Sequence, residues 1–143
     1  MDNKHLVWEI IRIGRGHRRL IETEIAELGI HPSQHHFLMY LAKNGPSTQC
    51  SIAQAMEVSA ATVAVSLKKL EKGKYIEKKG STEDNRVNFI SLTEKGEEVV
   101  RKSQELFEQT DDALFQNLTE KEKEQFHGIL ERIIQNIKTM EEK

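Results

Sequence analysis

The sequence predicts a mainly α-helical fold, α+β by content, in which one short β-hairpin interrupts a series of helices. Three observations support this fold class. Apolar residues recur at helical spacing along most of the 143 residues, only 2 prolines and 8 glycines interrupt them, and two strand-like runs flank a polar tip within residues 74–96. The chain is long enough to bury the core of one domain, and we expect residues 1–143 to form it.

Two helices are predicted before residue 47. The first runs to about Leu28 and has a weak or bent middle at Gly14 and Gly16. Pro32 suits an early position of the second helix, which ends near Asn44. The apolar residues that predict these helices are Leu6, Val7, Ile10, Ile11, Leu20, Ile21, Ile25, Leu28, Phe37, Leu38 and Leu41.

Two shorter helices follow, with only three or four residues between them. Ser51 and Gln54 have the spacing of a capping box and predict the start of the first. Ser59 can cap the second, and Gly73 can end it. The residues predicted to face inward are Ile52, Ala55 and Met56, then Val63, Leu67 and Leu70. Such a pair is typical of a helix-turn-helix.

A β-hairpin comes next, with strands predicted at residues 75–79 and 87–92. A helix-turn-helix followed directly by a hairpin is a winged helix.

Two further helices complete the chain. The first begins at Thr93, and the second has a capping box formed by Thr119 and Glu122. The apolar stripe of the last helix contains Phe126, Ile129, Leu130, Ile133, Ile134 and Ile137.

The charge of the chain is unevenly distributed, although its net value is only −2. Residues 59–92 contain seven basic and four acidic side chains, a balance of +3, whereas residues 93–143 carry −5. A local basic segment of this kind is a modest electrostatic signal for a nucleic acid partner. We therefore expect double-stranded DNA to bind at the winged helix.

The second helix of the pair has an outward face suited to the DNA major groove. Its lysines suit phosphates, and Thr62 and Ser66 can hydrogen-bond to base edges. Ala61 and Val65 fit thymine methyl groups, or they are ordinary surface or part of a wide packing stripe. The predicted DNA-contacting residues are Ser59, Ala61, Thr62, Val65, Ser66, Lys68, Lys69, Lys72, Lys78, Lys79, Asp84 and Arg86.

Asp84 and Arg86 lie near the hairpin tip. Residues two apart in an extended strand point to the same side, so the carboxylate of Asp84 can hold the guanidinium of Arg86. An arginine held in this way can enter a narrow A·T-rich minor groove. The alternative is a surface ion pair of about 0–1 kcal/mol that only stiffens the turn.

The chain resembles the multiple-antibiotic-resistance-regulator (MarR) family of bacterial transcription regulators over nearly its whole length. The resemblance rests on SIAQAMEVSAATVAVSLKKLEKGKYIEK from Ser51, on DNR from Asp84, and on SLTEKG from Ser91. It implies a cytoplasmic homodimer that acts as a ligand-responsive repressor, with Asp84 and Arg86 as the wing pair. It also implies a DNA-binding lobe at about 33–92, dimerisation helices at about 1–28 and 119–143, and a connecting helix at about 93–118. The effector would be a small aromatic or amphipathic molecule.

Three departures from the family pattern concern DNA reading. Family members often have a glycine where Glu57 stands, which predicts either a different turn or local strain here. They often have an arginine near Val65, and Gly73 falls one residue earlier than usual. These differences affect the DNA sequence that is read rather than the fold.

Other functions have weaker signals. A metal-sensing regulator is one alternative, with candidate ligands His17, His31, His35 and His36, but these histidines have no acidic or cysteine partner beside them in the sequence. A winged-helix protein-interaction module is a second alternative, although it should carry large aromatic residues where this chain has lysines. Cys50 is expected to be a partly buried structural thiol rather than a redox switch. No catalytic motif, cofactor motif, membrane segment or signal peptide is recognised, so we do not expect an enzyme.

Overall fold

The computed structural model describes residues 1–80 and 88–143. Two compact units are present, residues 1–107 and residues 108–143. The elements in chain order are α1 (Asn3–Glu27), α2 (Pro32–Asn44), β1 (Ser47–Thr48), α3 (Gln49–Met56), α4 (Ala60–Lys72), β2 (Ile76–Gly80), β3 (Asn88–Leu92), α5 (Glu94–Leu114) and α6 (Glu120–Glu141). The predicted fold class, a mainly helical winged helix-turn-helix, is confirmed.

Local contacts set the start of α1, the end of α1 and the start of α2. Asp2 caps α1 by accepting a hydrogen bond from the His5 N–H at 2.8 Å, and α1 continues without interruption as far as Glu27. Gly29, with a φ of 83°, then reverses the chain. His31 and Gln34 form a capping box at the start of α2, where Pro32 is the first helical residue.

A three-stranded antiparallel sheet has the order β1-β3-β2. Strand β3 pairs with β2 from Ile76 opposite Leu92 to Gly80 opposite Asn88, which is the predicted hairpin. On its other side β3 pairs with β1, where Ser47 lies opposite Ile90. Strand β1 was not predicted, because two residues are too few to show a periodic pattern.

The start of α3 corrects the sequence interpretation. Thr48, rather than Ser51, is the N-cap, and its hydroxyl accepts a hydrogen bond from the Ser51 N–H at 3.1 Å. Thr48 is extended because it belongs to β1, so α3 begins two residues before Ser51. The inner face is rotated accordingly, with Ile52 buried and Ala53 packed against the core, whereas Ala55 is exposed.

The hydrophobic core lies in residues 1–107 and joins every helix of that unit to the sheet. Its buried residues are Ile25, Ile30, Phe37, Leu38, Leu41, Ile52, Val63, Leu67, Leu70, Ile76, Ile90, Val99 and Val100. They include all three residues predicted to face inward from α4. Burial of aliphatic side chains on this scale provides the main stabilisation of the unit.

The second unit has a confirmed capping box and no buried apolar side chain. The Thr119 hydroxyl accepts from the Glu122 N–H at 3.1 Å, and the Glu122 carboxylate accepts from the Thr119 N–H at 2.8 Å. The rings of Phe115 and Phe126 pack with their centroids 6.4 Å apart. Phe126, Ile129, Ile134 and Ile137 of α6 are each 40–46% exposed in the single chain.

Within residues 1–80 and 88–143, no single helix is long and apolar enough to cross a membrane; α3 and α4 meet the length and composition only when counted together across a 117° bend.

Candidate nucleic-acid interface

The turn between α3 and α4 is built around Glu57, which has a left-handed conformation with φ 55° and ψ 41°. Its N–H donates to the Gln54 carbonyl at 3.3 Å, and the Val58 N–H donates to the Ala53 carbonyl at 3.2 Å. A side chain with a Cβ adopts this conformation at a cost of about 1–2 kcal/mol, which a glycine avoids. The departure at Glu57 therefore introduces local strain.

Helix α4 is held in one rotational setting by its cap and its buried face. The Ser59 hydroxyl accepts from the Thr62 N–H at 3.1 Å and lies 2.9 Å from the Thr62 hydroxyl. Val63 and Leu67 are fully buried. The residues that consequently face solvent are Ala61, Thr62, Val65, Lys68, Lys69 and Lys72, while Ser66 is half-buried.

Val65 is the only large apolar residue on the exposed face of α4, with 56% of its surface accessible. The six residues predicted to face outward are therefore exposed, whereas Ser66 is only half-exposed, and the wide-packing-stripe alternative for Val65 is wrong. Among the described residues, no carboxylate lies within 4 Å of the ammonium groups of Lys68, Lys69 or Lys72. These three charges are available to an anionic partner.

The lysines of β2 are in a different electrostatic situation. Lys78 lies 3.9 Å from Glu71 of α4, and Lys79 lies 3.2 Å from Glu77. The first contact places the base of the hairpin beside the last turns of α4. Because both pairs are exposed, each contributes at most about 1 kcal/mol, so a phosphate can compete for either lysine.

Asp84 and Arg86 lie outside the described residues, within the seven-residue segment 81–87 that connects β2 to β3. Their predicted pairing stays a prediction.

The end of α4 and the start of β2 are held by hydrogen bonds from the beginning of α5. Three successive carbonyl groups accept them: Gly73 from the Lys95 ammonium at 2.7 Å, Lys74 from the Thr93 hydroxyl at 2.6 Å, and Tyr75 from the Thr93 N–H at 3.1 Å. We call this arrangement the α4–β2 clasp. The SLTEKG segment, which in the sequence only supported the family resemblance, therefore has a structural role through Thr93 and Lys95.

At the end of α4 the left-handed conformation that favours a glycine falls on Lys74 and not on Gly73. Gly73 has φ −74°, whereas the next residue, Lys74, is left-handed with φ 64°. The Tyr75 N–H donates to the Leu70 carbonyl at 3.0 Å, and the Lys74 N–H donates to the Glu71 carbonyl at 3.0 Å. This is the Schellman pattern, with a lysine at the position that glycine usually occupies.

The histidines do not gather into a metal site among the described residues, where no group of three His, Cys, Asp or Glu side chains could hold an ion. His31 instead caps α2, since its Nδ1 accepts from the Ser33 N–H at 3.2 Å. His35 is buried and packs edge-on against Phe107, with centroids 5.5 Å apart. Burial, and secondarily the neighbouring His36, lower the pKa of His35.

A groove of about 570 Å³ lies among α1, α2 and α5 within the first unit. Its apolar lining comes from Ile21, Ile25, Met39 and Phe107, and its polar lining from His17, Arg18, Glu22, Ser33, His35 and His36. The Nε2 atom of His35 is buried and has no hydrogen-bond partner among the described residues. A buried polar atom without a partner favours a ligand that can hydrogen-bond to it.

The expectation that Cys50 is partly buried is wrong, because the residue is exposed. With α3 beginning at Gln49, Cys50 lies in the first turn, and Ile52 takes the buried position.

Sequence reasoning also missed Lys95 and the depth at which His35 is buried. The partner of Lys95 lies 22 positions earlier in the chain. No local pattern reports such a contact, whereas the i, i+3 spacing of His35 and Leu38 offered a weak sign that His35 is buried.

Comparison with known proteins places the chain among DNA-binding regulators. A family model described as transcriptional regulator SarA/Rot matches residues 19–103. The HTH-type transcriptional regulator BilQ of Clostridium symbiosum is 30% identical over 112 residues, which cover 78% of each chain. The crystal structure of the Staphylococcus aureus MepR–DNA complex is similar with a TM-score of 0.79 and 26% identity, over 92% of this chain and 98% of that one. A crystal structure of MarR gives a TM-score of 0.66 and 26% identity, over 98% and 93% of the two chains.

Proposed function

Because the chain belongs to the MarR family of winged-helix transcriptional regulators, we propose that it binds DNA as a homodimer and acts as a ligand-responsive repressor. The observation that carries the DNA-binding part is the solvent-exposed face of α4. Val63 and Leu67 anchor the helix in the core, and the opposite face presents three lysines without acidic partners among the described residues. MepR, which shares this fold, has been crystallised with DNA.

In the proposed complex α4 enters the major groove. Thr62 and Ser66 hydrogen-bond to base edges near the N-terminal half of the helix, while Ala61 and Val65 contact thymine methyl groups. Lys68, Lys69 and Lys72, with Ser59 at the cap, contact phosphates, which provide affinity without reading sequence.

The wing contributes the second set of contacts. Lys78 and Lys79 exchange their weak acidic partners for phosphates on the same duplex. For Asp84 and Arg86 the argument is one of sequence: the carboxylate directs the guanidinium into the minor groove next to the half-site.

Dimerisation is supported by apolar surface that a single chain leaves uncovered. On α1, Leu6, Ile10 and Ile13 are 47–65% exposed, and the stripe of α6 is similarly open. Apolar faces of this extent on two helices indicate burial against another helix. We propose that residues 1–28 and 119–143 of two copies form the dimer arms around a lobe at about 33–92. Two α4 helices then read half-sites about one helical turn apart.

The groove among α1, α2 and α5 is the proposed effector site. Its apolar lining, together with the Nε2 of His35, which has no hydrogen-bond partner in the described part of the chain, suits a small aromatic or amphipathic molecule that offers one hydrogen-bonding group. A ligand that prefers the conformation unable to bind DNA would release the operator. A coupling free energy of about 1–3 kcal/mol is sufficient for this response.

The proposal is tested by selecting bound fragments of the source genome and measuring their affinity at two salt concentrations. If three lysines of α4 in each of two copies contact phosphates, affinity should fall about a thousandfold between about 50 mM and about 200 mM salt. Lys69→Gln should reduce the slope of log K against log salt by about 2, because both copies lose a contact. Lys102→Gln on α5 is the matched control and should leave the slope unchanged.

Two results would count against this function. Absence of binding at low salt, or binding that does not weaken as salt rises, would favour a protein-interaction module instead. For the wing, Arg86→Ala should weaken binding most on fragments with A·T-rich flanks. Equal affinity of the wild type and this variant on such flanks would remove the minor-groove contact from the proposal.

A further inference from the structure

The α4–β2 clasp joins the end of α4, the start of β2 and the start of α5 through three hydrogen bonds. The Lys95 ammonium donates to the Gly73 carbonyl at 2.7 Å and lies 4.4 Å from the centroid of the Tyr75 ring. Thr93 binds the next two carbonyl groups, those of Lys74 and Tyr75. Every main-chain carbonyl from residue 73 to residue 75 is therefore bonded to the start of α5.

The chemistry at the centre of the clasp suits a cation. The last carbonyl groups of a helix carry a partial negative charge, and the Gly73 carbonyl lies directly after the end of α4. The face of the Tyr75 ring is also electron-rich and attracts an ammonium group. Lys95 satisfies both at once, although its side chain is exposed and has water as an alternative partner.

The clasp lies between α4 and β2, the two elements that are proposed to contact DNA. Helix α4, the proposed recognition helix, ends at Lys72, and strand β2, the first strand of the wing, begins at Ile76. The angle between the recognition helix and the wing is therefore set within three residues. A change of that angle would move Lys72 and the hairpin relative to each other. We propose that Lys95 is a positioning residue that fixes the recognition helix relative to the wing, without touching DNA itself.

This inference rests on the proposed DNA-binding function and makes a distinct prediction within it. Contacts to base edges in two grooves need both reading elements in register, whereas non-specific affinity comes from phosphates and tolerates a looser arrangement. Loss of the clasp should therefore weaken specific binding more than non-specific binding. Loss of a lysine that contacts a phosphate directly would instead weaken specific and non-specific binding equally, and would lower the salt dependence of both.

The test uses the full chain and two duplexes of equal length: a fragment recovered by the genomic selection and a random-sequence control. Lys95→Met removes the charge and keeps the aliphatic stem. Lys95→Arg keeps a cation that can donate to the Gly73 carbonyl. Lys102→Met is the matched control, since Lys102 is an exposed lysine of the same helix and lies 3.9 Å from Glu98.

For Lys95→Met we expect about a five- to tenfold loss of affinity for the selected fragment. Affinity for the random duplex should stay within about twofold, and the slope of log K against log salt should be unchanged. Lys95→Arg should recover most of the lost affinity, and Lys102→Met should resemble the wild type.

Three results would overturn the inference. An equal loss on both duplexes with a slope lowered by about 2 would make Lys95 a phosphate contact in each copy. Wild-type affinity of Lys95→Met would make the clasp irrelevant to binding, and loss of helical circular dichroism in that variant would make Lys95 a folding residue. The proposed function itself fails separately, when the wild type prefers no fragment over the random duplex.

Discussion

Replacement of Gly96 by alanine tests a close approach between α5 and the main chain before β2. Gly96 lies in the first turn of α5, against the main chain of Tyr75. A Cβ atom at this position would lie 2.1 Å from the Tyr75 carbonyl oxygen and 3.2 Å from Cδ2 of Leu92. Since carbon–oxygen contacts are normally about 3.3 Å, α5 and the start of β2 would have to separate by about 1 Å.

The size of the effect follows from three contributions. Overpacking of this kind costs about 1–3 kcal/mol. The separation also weakens the hydrogen bond from the Thr93 N–H to the Tyr75 carbonyl, worth about 1 kcal/mol. Alanine returns up to about 1 kcal/mol through its higher helix propensity. We expect a net destabilisation of about 1–4 kcal/mol. With an unfolding entropy of about 0.3 kcal/mol/K for a chain of 143 residues, Tm should fall by about 3–13 °C.

The measurement is thermal and urea unfolding followed by circular dichroism at one fixed protein concentration. Gly128→Ala is the matched control, because a Cβ at Gly128 in α6 meets no heavy atom within 4 Å. It should raise stability by about 0.5–1 kcal/mol. If Gly96→Ala stayed within about 0.5 kcal/mol of the wild type, the close packing of α5 on Tyr75 would be refuted.

Three further predictions concern the turn, the groove and the dimer arms. Glu57→Gly should stabilise the chain by about 0.5–1 kcal/mol by removing left-handed strain, whereas Glu57→Ala should not; urea midpoints measure both. Burial and His36 lower the pKa of His35, so the folded state binds fewer protons than the unfolded state, and stability should decrease as pH falls through about 6.5. His35→Phe should flatten this decrease between about pH 7.5 and about pH 5.5. Ile137→Glu should convert a dimer to monomers in analytical ultracentrifugation, whereas Gln135→Glu, on the opposite face of α6, should not; a wild-type monomer would contradict the proposed dimer.

Much of the fold was predictable because its signals are local. Ser59 and Thr119 cap helices through hydrogen bonds to residues three positions later, and such pairs can be recognised in any sequence. The spacing of Val63, Leu67 and Leu70 predicted which face of α4 is buried, and therefore which face carries the lysines. The exposed part of the candidate site followed from the same periodicity.

The errors arose where a distant segment decides the local structure. The spacing of Ser51 and Gln54 predicts Ser51 as the N-cap of α3, but pairing of β1 with β3 keeps Thr48 extended and moves the cap to it. Cys50 was expected to be partly buried, and this shift of the helix start accompanies its exposure. The ring of the buried His35 packs against Phe107 of α5, which lies 72 positions later in the chain.

The sequence by itself determined the order of helices and hairpin, the buried face of α4 and the lysines on its opposite face, since periodicity and capping act over three or four residues. Tertiary structure alone decided the third strand, the groove beside His35 and the bond from Lys95 to Gly73. These features join residues from 22 to more than 70 positions apart, as Lys95 to Gly73 and His35 to Phe107 illustrate. Contacts at such separations form only after the core has brought the segments together, and no short-range pattern in the chain records them.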